Sequence, residues 1–178
     1  MGNLSPAALL INADNEYVYT ESYLTDLVQG RIFSFVYEGN ASNVETPAAL
    51  FRNPAGSGKD FIIARLLLDT VSKVQSSTMR IYAMPTILTV GSVIVCGSRR
   101  LKGTPPASAA LAYSLPTVSA NGLKAFVLST GYSNPTLIDA VSRTVLVGPG
   151  YDLLMTVQAT ANNSLFSVSA AWLEIASV

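Results

Sequence analysis

Apolar residues in this chain alternate with polar ones in short bursts separated by turn residues, a pattern of strands rather than helices. The longest such stretch is Ala48 to Thr70, a short apolar run, a break at Pro54-Ala55-Gly56-Ser57-Gly58, then a long apolar run. Proline fixes φ at about −65° and glycine accepts positive φ, so Pro54, Gly56 and Gly58 are the turn formers and the stretch is predicted to be a β-hairpin. Beyond the turn, Ile62, Ala64, Leu66, Leu68 and Thr70 share one face at period two. Phe61, Ile63, Arg65, Leu67 and Asp69 share the other, which is partly polar.

The same alternation predicts strands at Arg31–Glu38, with Phe33, Phe35 and Tyr37 on one side, and at Met79–Ala83, which Met84-Pro85 ends. Ile87 to Val95 is almost continuously apolar and β-branched, as in a strand buried on both faces. Ala107 to Gly122 is expected to be irregular with one short strand. Near the end, Tyr151, Leu153, Met155, Val157 and Ala159 face one way and Phe166, Val168, Ala170 and Trp172 answer after Ala161-Asn162-Asn163. That is the pattern of a terminal hairpin with Trp172 as core anchor. Glu21 to Gln29 suits one or two helical turns stopped by Gly30. Residues 1–25 hold only two short extended pieces, around Leu9-Leu10-Ile11 and Tyr17-Val18-Tyr19, and are expected to be an arm ordered by a neighbour. Residues 26–178 are expected to form a single all-β domain of about eight to ten strands, a sandwich whose winding periodicity alone leaves open between jelly-roll and immunoglobulin-like.

Composition sharpens this picture. Charged residues are 12% of the 178, about half the ~25% usual for a soluble domain, while apolar residues reach 49%. The excess apolar surface calls for a membrane or a protein interface. Ile81 to Ser98 lacks charge but carries Pro85, Gly91 and Gly97, so it suits strands better than a spanning helix, and no membrane partner is expected. The start of the chain has no signal-peptide pattern, which implies synthesis in a cytoplasm. Charge is balanced overall but divided along the chain. The first fifty residues hold Asp14, Glu16, Glu21, Asp26, Glu38 and Glu45 against Arg31, while Arg52 to Lys124 is mostly basic. Complementary fields of this kind register copies against one another, so Asp14 and Glu16 of the arm, with Arg99, Arg100 and Lys102 of the Gly97–Pro106 loop, are the candidate contacts. That loop lacks interleaved aromatics and a groove-reading helix, so no nucleic acid is expected.

Candidate chemistry is sparse. Gly56-Ser57-Gly58-Lys59 resembles a phosphate-binding loop, but Asn53 stands where the first glycine belongs and Asp60 where a hydroxyl would hold Mg²⁺. With no histidine, imidazole catalysis and imidazole metal sites are excluded. Asp139, Asp152 and Glu174 are widely spaced and each is expected on a surface or turn. Cys96, the single cysteine, lies in an apolar run and suits a small buried hydrophobe. No catalytic residue, metal or cofactor is assigned, and an enzyme is not expected.

Leu50-Phe51-Arg52-Asn53-Pro54-Ala55-Gly56-Ser57-Gly58-Lys59, preceded by Tyr23 and by Gly30-Arg31-Ile32-Phe33-Ser34, resembles virion structural proteins of tailed bacteriophages. The resemblance runs from about Tyr17 to Glu174 and includes a G-x-x-F entry strand, an NPxGSGK turn and a closing strand pair ending on Trp or Glu. It implies a β-sandwich of jelly-roll type with an extended N-terminal arm, residing in the virion. It further implies a capsid cement or decoration protein that binds the outside of a phage head as a homotrimer, with itself and the major capsid protein as partners. The alternative within the same resemblance is a tail-fibre or receptor-binding module recognising host-surface glycan, with Tyr113, Tyr132 and Tyr151 as stacking candidates.

Overall fold

The computed structural model describes residues 10–11, 17–18, 26–27, 29–70, 76–100, 103–104, 106–130, 136–139 and 145–177. Among them run sixteen strands: β1 (Leu10–Ile11), β2 (Tyr17–Val18), β3 (Ile32–Ala41), β4 (Thr46–Arg52), β5 (Lys59–Thr70), β6 (Ser77–Ala83), β7 (Thr86–Thr89), β8 (Ser92–Ile94), β9 (Gly97–Ser98), β10 (Leu111–Ser114), β11 (Thr117–Ala120), β12 (Leu123–Ser129), β13 (Thr136–Asp139), β14 (Val145–Val147), β15 (Asp152–Ala159) and β16 (Ser164–Ala176). One sheet has the order β12-β6-β15-β4-β10-β8 and the other β13-β5-β16-β3-β9, with β14 also on β5. The two sheets pack against each other as an all-β sandwich. Among the described residues β1 and β2 pair only with each other, as do β7 and β11.

Seven pairings follow one rule: β3 with β16, β4 with β15, β5 with β13 and β14, β6 with β12, β7 with β11, and β8 with β10, all antiparallel. The chain runs out to β9 and returns beside itself as one long ribbon. Rolling brings β16 also against β5 and β15 also against β6, which sends successive ribbon pairs to alternate sheets. The tip tucks back, so that β10 extends the first sheet at β4 and β9 joins the second at β3.

This winding corrects two expected hairpins. β4 and β5 lie in opposite sheets, so the Pro54–Gly58 turn is a crossing between layers, and the same holds for β15 and β16. The physical reason is that both flanks of each turn are apolar on the inward face, and burying both requires them to face each other across the core. Phe51 and Phe61 do so at 5.7 Å between ring centroids. At the turn, Ser57 N–H donates to Pro54 O at 3.0 Å, and Gly58 takes φ +61 while Gly56 takes no positive φ. β5 also departs from strict period two. Its core residues are Phe61, Ile63, Leu66 and Leu68, because a bulge at Ala64, between the partners of Trp172 and Ala171, switches the faces midway.

Elsewhere the alternation holds, except that Tyr151, expected on the inward face with Leu153, lies just ahead of β15 and is 51% exposed. Phe33 and Phe35 on β3, Met79 and Ile81 on β6, Leu153, Met155, Val157 and Ala159 on β15, and Phe166, Val168, Ala170 and Trp172 on β16 all enter the core. Trp172 is fully buried and lies 4.8 Å from Phe51, 6.1 Å from Phe35 and 6.2 Å from Phe33 by ring centroid. Asp26 and Leu27 are helical, and Gly30 at φ +72 ends the turn. Gly30 N–H donates to Leu27 O and Arg31 N–H to Asp26 O, a Schellman cap. Residues 21–25 lie outside the described residues.

The ribbon bends sharply at both ends of the β7–β11 pair, and at each bend both chains enter the left-handed region. Met84 (φ 57) sits beside Gly122 (φ +89), and Leu115 (φ 51) beside Gly91 (φ +87). The glycines are needed for space as well as angle: a Cβ on Gly91 would lie 1.9 Å from Ser114 O and one on Gly122 2.2 Å from Ala83 O. Gly91→Ala is expected to lower stability by about 3 kcal/mol or more, a fall in melting temperature on the order of 10 °C. Gly56→Ala, with open space at its Cβ, should leave it within about 1 °C. Paired thermal melts check both.

Candidate interaction surface and the carboxylate that anchors it

The β7–β11 ribbon, with β8, β9 and β10 at its tip, forms the region most exposed in apolar side chains. Connectivity leads it from β6 and β12, across the sheet positions of β15 and β4, to β10 and β8. Leu50 on β4 and Leu154 on β15 stand opposite each other in register and are fully buried although they lie outside the main core cluster. Ile87 and Val118, paired on the ribbon, are half-buried, while Leu88 is 66% exposed. Alternation along β7 thus turns Ile87 toward the sheet and leaves Leu88 outside.

Glu174 anchors the tip. Its side chain is 1% exposed. Oε1 accepts from Ser108 Oγ at 2.6 Å, Ala109 N–H at 3.0 Å and Trp172 Nε1–H at 3.3 Å, and Oε2 accepts from Lys59 Nζ at 2.9 Å. One buried carboxylate therefore joins the start of β5, the indole of the core and the segment leading into β10. The expectation that Glu174 occupies a surface or turn is corrected, and the signal was present: Phe166, Val168, Ala170 and Trp172 point inward, and the next residue at period two is Glu174. With its oxygens engaged by structural donors, Glu174 is a fastening rather than a free acid or base.

Asn53 is the second residue the sequence undervalued. Fully buried, it donates through Nδ2 to Lys59 O at 2.8 Å and Val147 O at 2.7 Å, and accepts from Ser57 Oγ at 2.6 Å. Its backbone bonds Tyr151 and Gly150. The residue that breaks the nucleotide-loop pattern is the pin of the layer crossing.

Of the candidate contacts, Arg99 is exposed and its N–H donates to Ile32 O, and Arg100 is half-buried with its stem close to Gly30. Asp14, Glu16 and Lys102 lie outside the described residues. Several midsection cations are paired internally. Arg52 makes a two-pronged contact with Asp152 at 2.6 and 2.9 Å, which raises the Arg52 pKa, Lys59 holds Glu174, and Arg80 meets Glu45 at 3.3 Å. Glu45 also accepts from Tyr82 Oη at 2.8 Å and Thr156 Oγ1 at 2.6 Å; burial, then this bond, pushes the Tyr82 hydroxyl up. Three of the midsection cations thus already have partners within the chain, one of them, Glu45, from the acidic leading segment.

The long apolar run Ile87–Val95 is not buried on both faces, contrary to expectation. It is broken at Val90-Gly91 into β7 and β8, and it exposes Leu88, Val93 (76%) and Val95 (82%). Ala107–Gly122 holds two strands, β10 and β11, rather than one. Leu111 (42%) and Leu115 (62%) extend the apolar surface beside β8. Two shallow depressions lie elsewhere, one of about 480 Å³ lined by Met84, Pro85, Gly150, Tyr151 and Asp152, the other of about 310 Å³ between Asn43, Ser76 and Gln158. Among the described residues no group of His, Cys, Asp and Glu is placed to hold a metal ion, and no helix is long and apolar enough to cross a membrane. Compared with known proteins, the chain matches no family model and no curated protein.

Two outcomes follow from this anchoring. Glu174→Ala leaves the Ser108, Ala109 and Trp172 donors without their acceptor and is expected to cost about 3 kcal/mol, with faster amide exchange at 108–112. Glu174→Gln, which keeps one carbonyl oxygen, should cost about 1 kcal/mol. Hydrogen exchange with denaturant melts checks this. Burial, with the Glu174 carboxylate adding to it, pushes the half-buried Cys96 thiol from an ordinary 9.0 up to about 11. Only the thiolate reacts, so alkylation of the native protein at pH 8 should be about a hundredfold slower than of the unfolded chain and should recover as pH approaches 11. Iodoacetamide labelling followed by mass spectrometry measures it.

Proposed function

We propose that this chain is a structural virion protein, a capsid cement or decoration protein of a tailed phage that associates with itself and with the major capsid protein on the outside of the head. The observation that carries the reading is the exposed apolar surface of the ribbon tip, Leu88, Val93, Val95, Leu111 and Leu115, on a chain with only 12% charged residues. Surface of this kind favours burial against protein partners. The rolled ribbon supports a jelly-roll winding, and a sandwich whose tip strands present apolar side chains at a sheet edge suits a protein that bridges neighbouring shell subunits. A homotrimer, the acidic arm and the Arg99, Arg100 and Lys102 loop belong to the same proposal, as the parts that register copies on the shell. In this reading the chain performs no chemistry: its contribution is buried area and pairing across subunit boundaries.

A second reading, a receptor-binding module for host glycan, is favoured by one feature. Tyr151 is 51% exposed and lines the larger depression beside the Arg52–Asp152 pair, where a ring could stack on its face. Tyr113 is half-buried on β10, and Tyr132 lies outside the described residues.

Quantitative mass spectrometry of purified particles tests the assignment. A ratio approaching one copy per capsid subunit is expected; a few per hundred would move the chain to the tail and promote the glycan reading. Deleting residues 1–20 should leave a folded sandwich that binds capsids poorly, and undiminished binding would remove the arm from the proposal.

A further inference from the structure

We infer that β8 is the site of a two-fold contact between copies of this chain, in which the strand pairs antiparallel with itself and joins two sandwiches edge to edge. The inference rests on the reading of the chain as a self-associating assembly protein and names the surface and geometry that reading leaves open.

β8 ends the first sheet, and no described strand pairs with its outer edge. Natural sheets protect such edges with charge, bulges or interruption. The other edges here are protected. β12 carries Lys124 and a bulge at Ala125. The β5 flank is divided between the short strands β13 and β14. β9 is two residues long and runs into Arg99 and Arg100. β8 is short but has none of the other devices: Val90 to Ser98 contains no charged residue and no proline, and its register with β10 is unbroken.

A second copy is the occupant that fits. A strand that meets itself across a two-fold repeats each of its charges on both sides of the axis, so charges near the axis crowd their own copies; an uncharged segment suits self-pairing, and β12, with Lys124, suits it less. Centring the pair on Ile94 sets Val93 of one copy beside Val95 of the other and Ile94 beside Ile94. The two most exposed large hydrophobics of the described surface then cover each other. Val93 and Val95, 76% and 82% exposed, then shield each other's flanks across the new ladder, and the free main-chain groups of the β8 edge gain partners. The Glu174 fastening holds the approach to β10, the strand that carries β8, so the edge is presented in a fixed position.

Native mass by light scattering of the purified full chain tests the contact. Val95→Lys sets like charges on either side of the two-fold, diagonally across the pair, and is expected to halve the native mass, whether the wild type is a dimer or a dimer of larger rings. The far-UV circular dichroism should match that of the wild type, because Val95 is 82% exposed within the single chain and the substitution leaves its fold intact. An unchanged mass overturns the β8 contact while leaving self-association standing. A wild type that stays at the mass of one chain at every concentration overturns both. The Val93→Cys/Val95→Cys double variant tests the register. Oxidation is expected to give a covalent dimer that reductant dissolves, and its absence overturns the antiparallel pairing.

Discussion

Trp172 packs where four strands converge. It touches Phe33 and Phe35 from β3 and Phe51 from β4, while its own strand β16 is paired on both sides, with β3 and with β5. An indole that large is buried completely only if its N–H finds a partner, and Glu174, two residues on and on the same face, supplies it. The carboxylate in turn requires donors of its own, and those come from Lys59 and from the segment before β10. The demand for polar satisfaction at one indole thus passes outward until it fixes the position of the ribbon tip.

The crossings between sheets follow from the same need to enclose the aromatic cluster. A hairpin at Pro54–Gly58 would set β4 and β5 side by side in one sheet, and Phe51 and Phe61 would point to the same layer instead of meeting. The crossing costs main-chain hydrogen bonds at the turn, which Asn53 replaces through its side chain and backbone. At the far bends the ribbon meets a steric limit, met by placing Gly91 and Gly122 against carbonyl oxygens too close for any Cβ.

What the sequence made legible was governed by local rules. Alternation placed β3, β6, β15 and β16, and Gly30 marked a helix stop that the structure closes with a Schellman cap. What it concealed was decided by partners distant in sequence. A turn built of Pro54, Gly56 and Gly58 looks the same whether the strands it joins pair or oppose each other. The bulge at Ala64 is imposed by β16, so nothing within β5 announces it. Ile87–Val95 has the composition of a core strand, yet its place at the ribbon tip leaves Val93 and Val95 outside. Glu174 was readable in principle, since period two puts it inside, but a charged residue at an inward position is credible only when its donors are known.

The ribbon also dictates an order of events in time. Because β3 pairs with β16 and β4 with β15, the earliest strands of the sandwich wait for the last ones, and Phe33 and Phe35 emerge from the ribosome with most of the chain still to be made. The segment between β6 and β12, whose pairings are nearest in sequence, is the part able to close first, so assembly runs inward from the ribbon tip toward its two free ends. Such a chain collapses late and slowly, with apolar edges open while it waits. A low copy rate or a chaperone on the nascent chain would matter more to its yield than the stability of the finished sandwich.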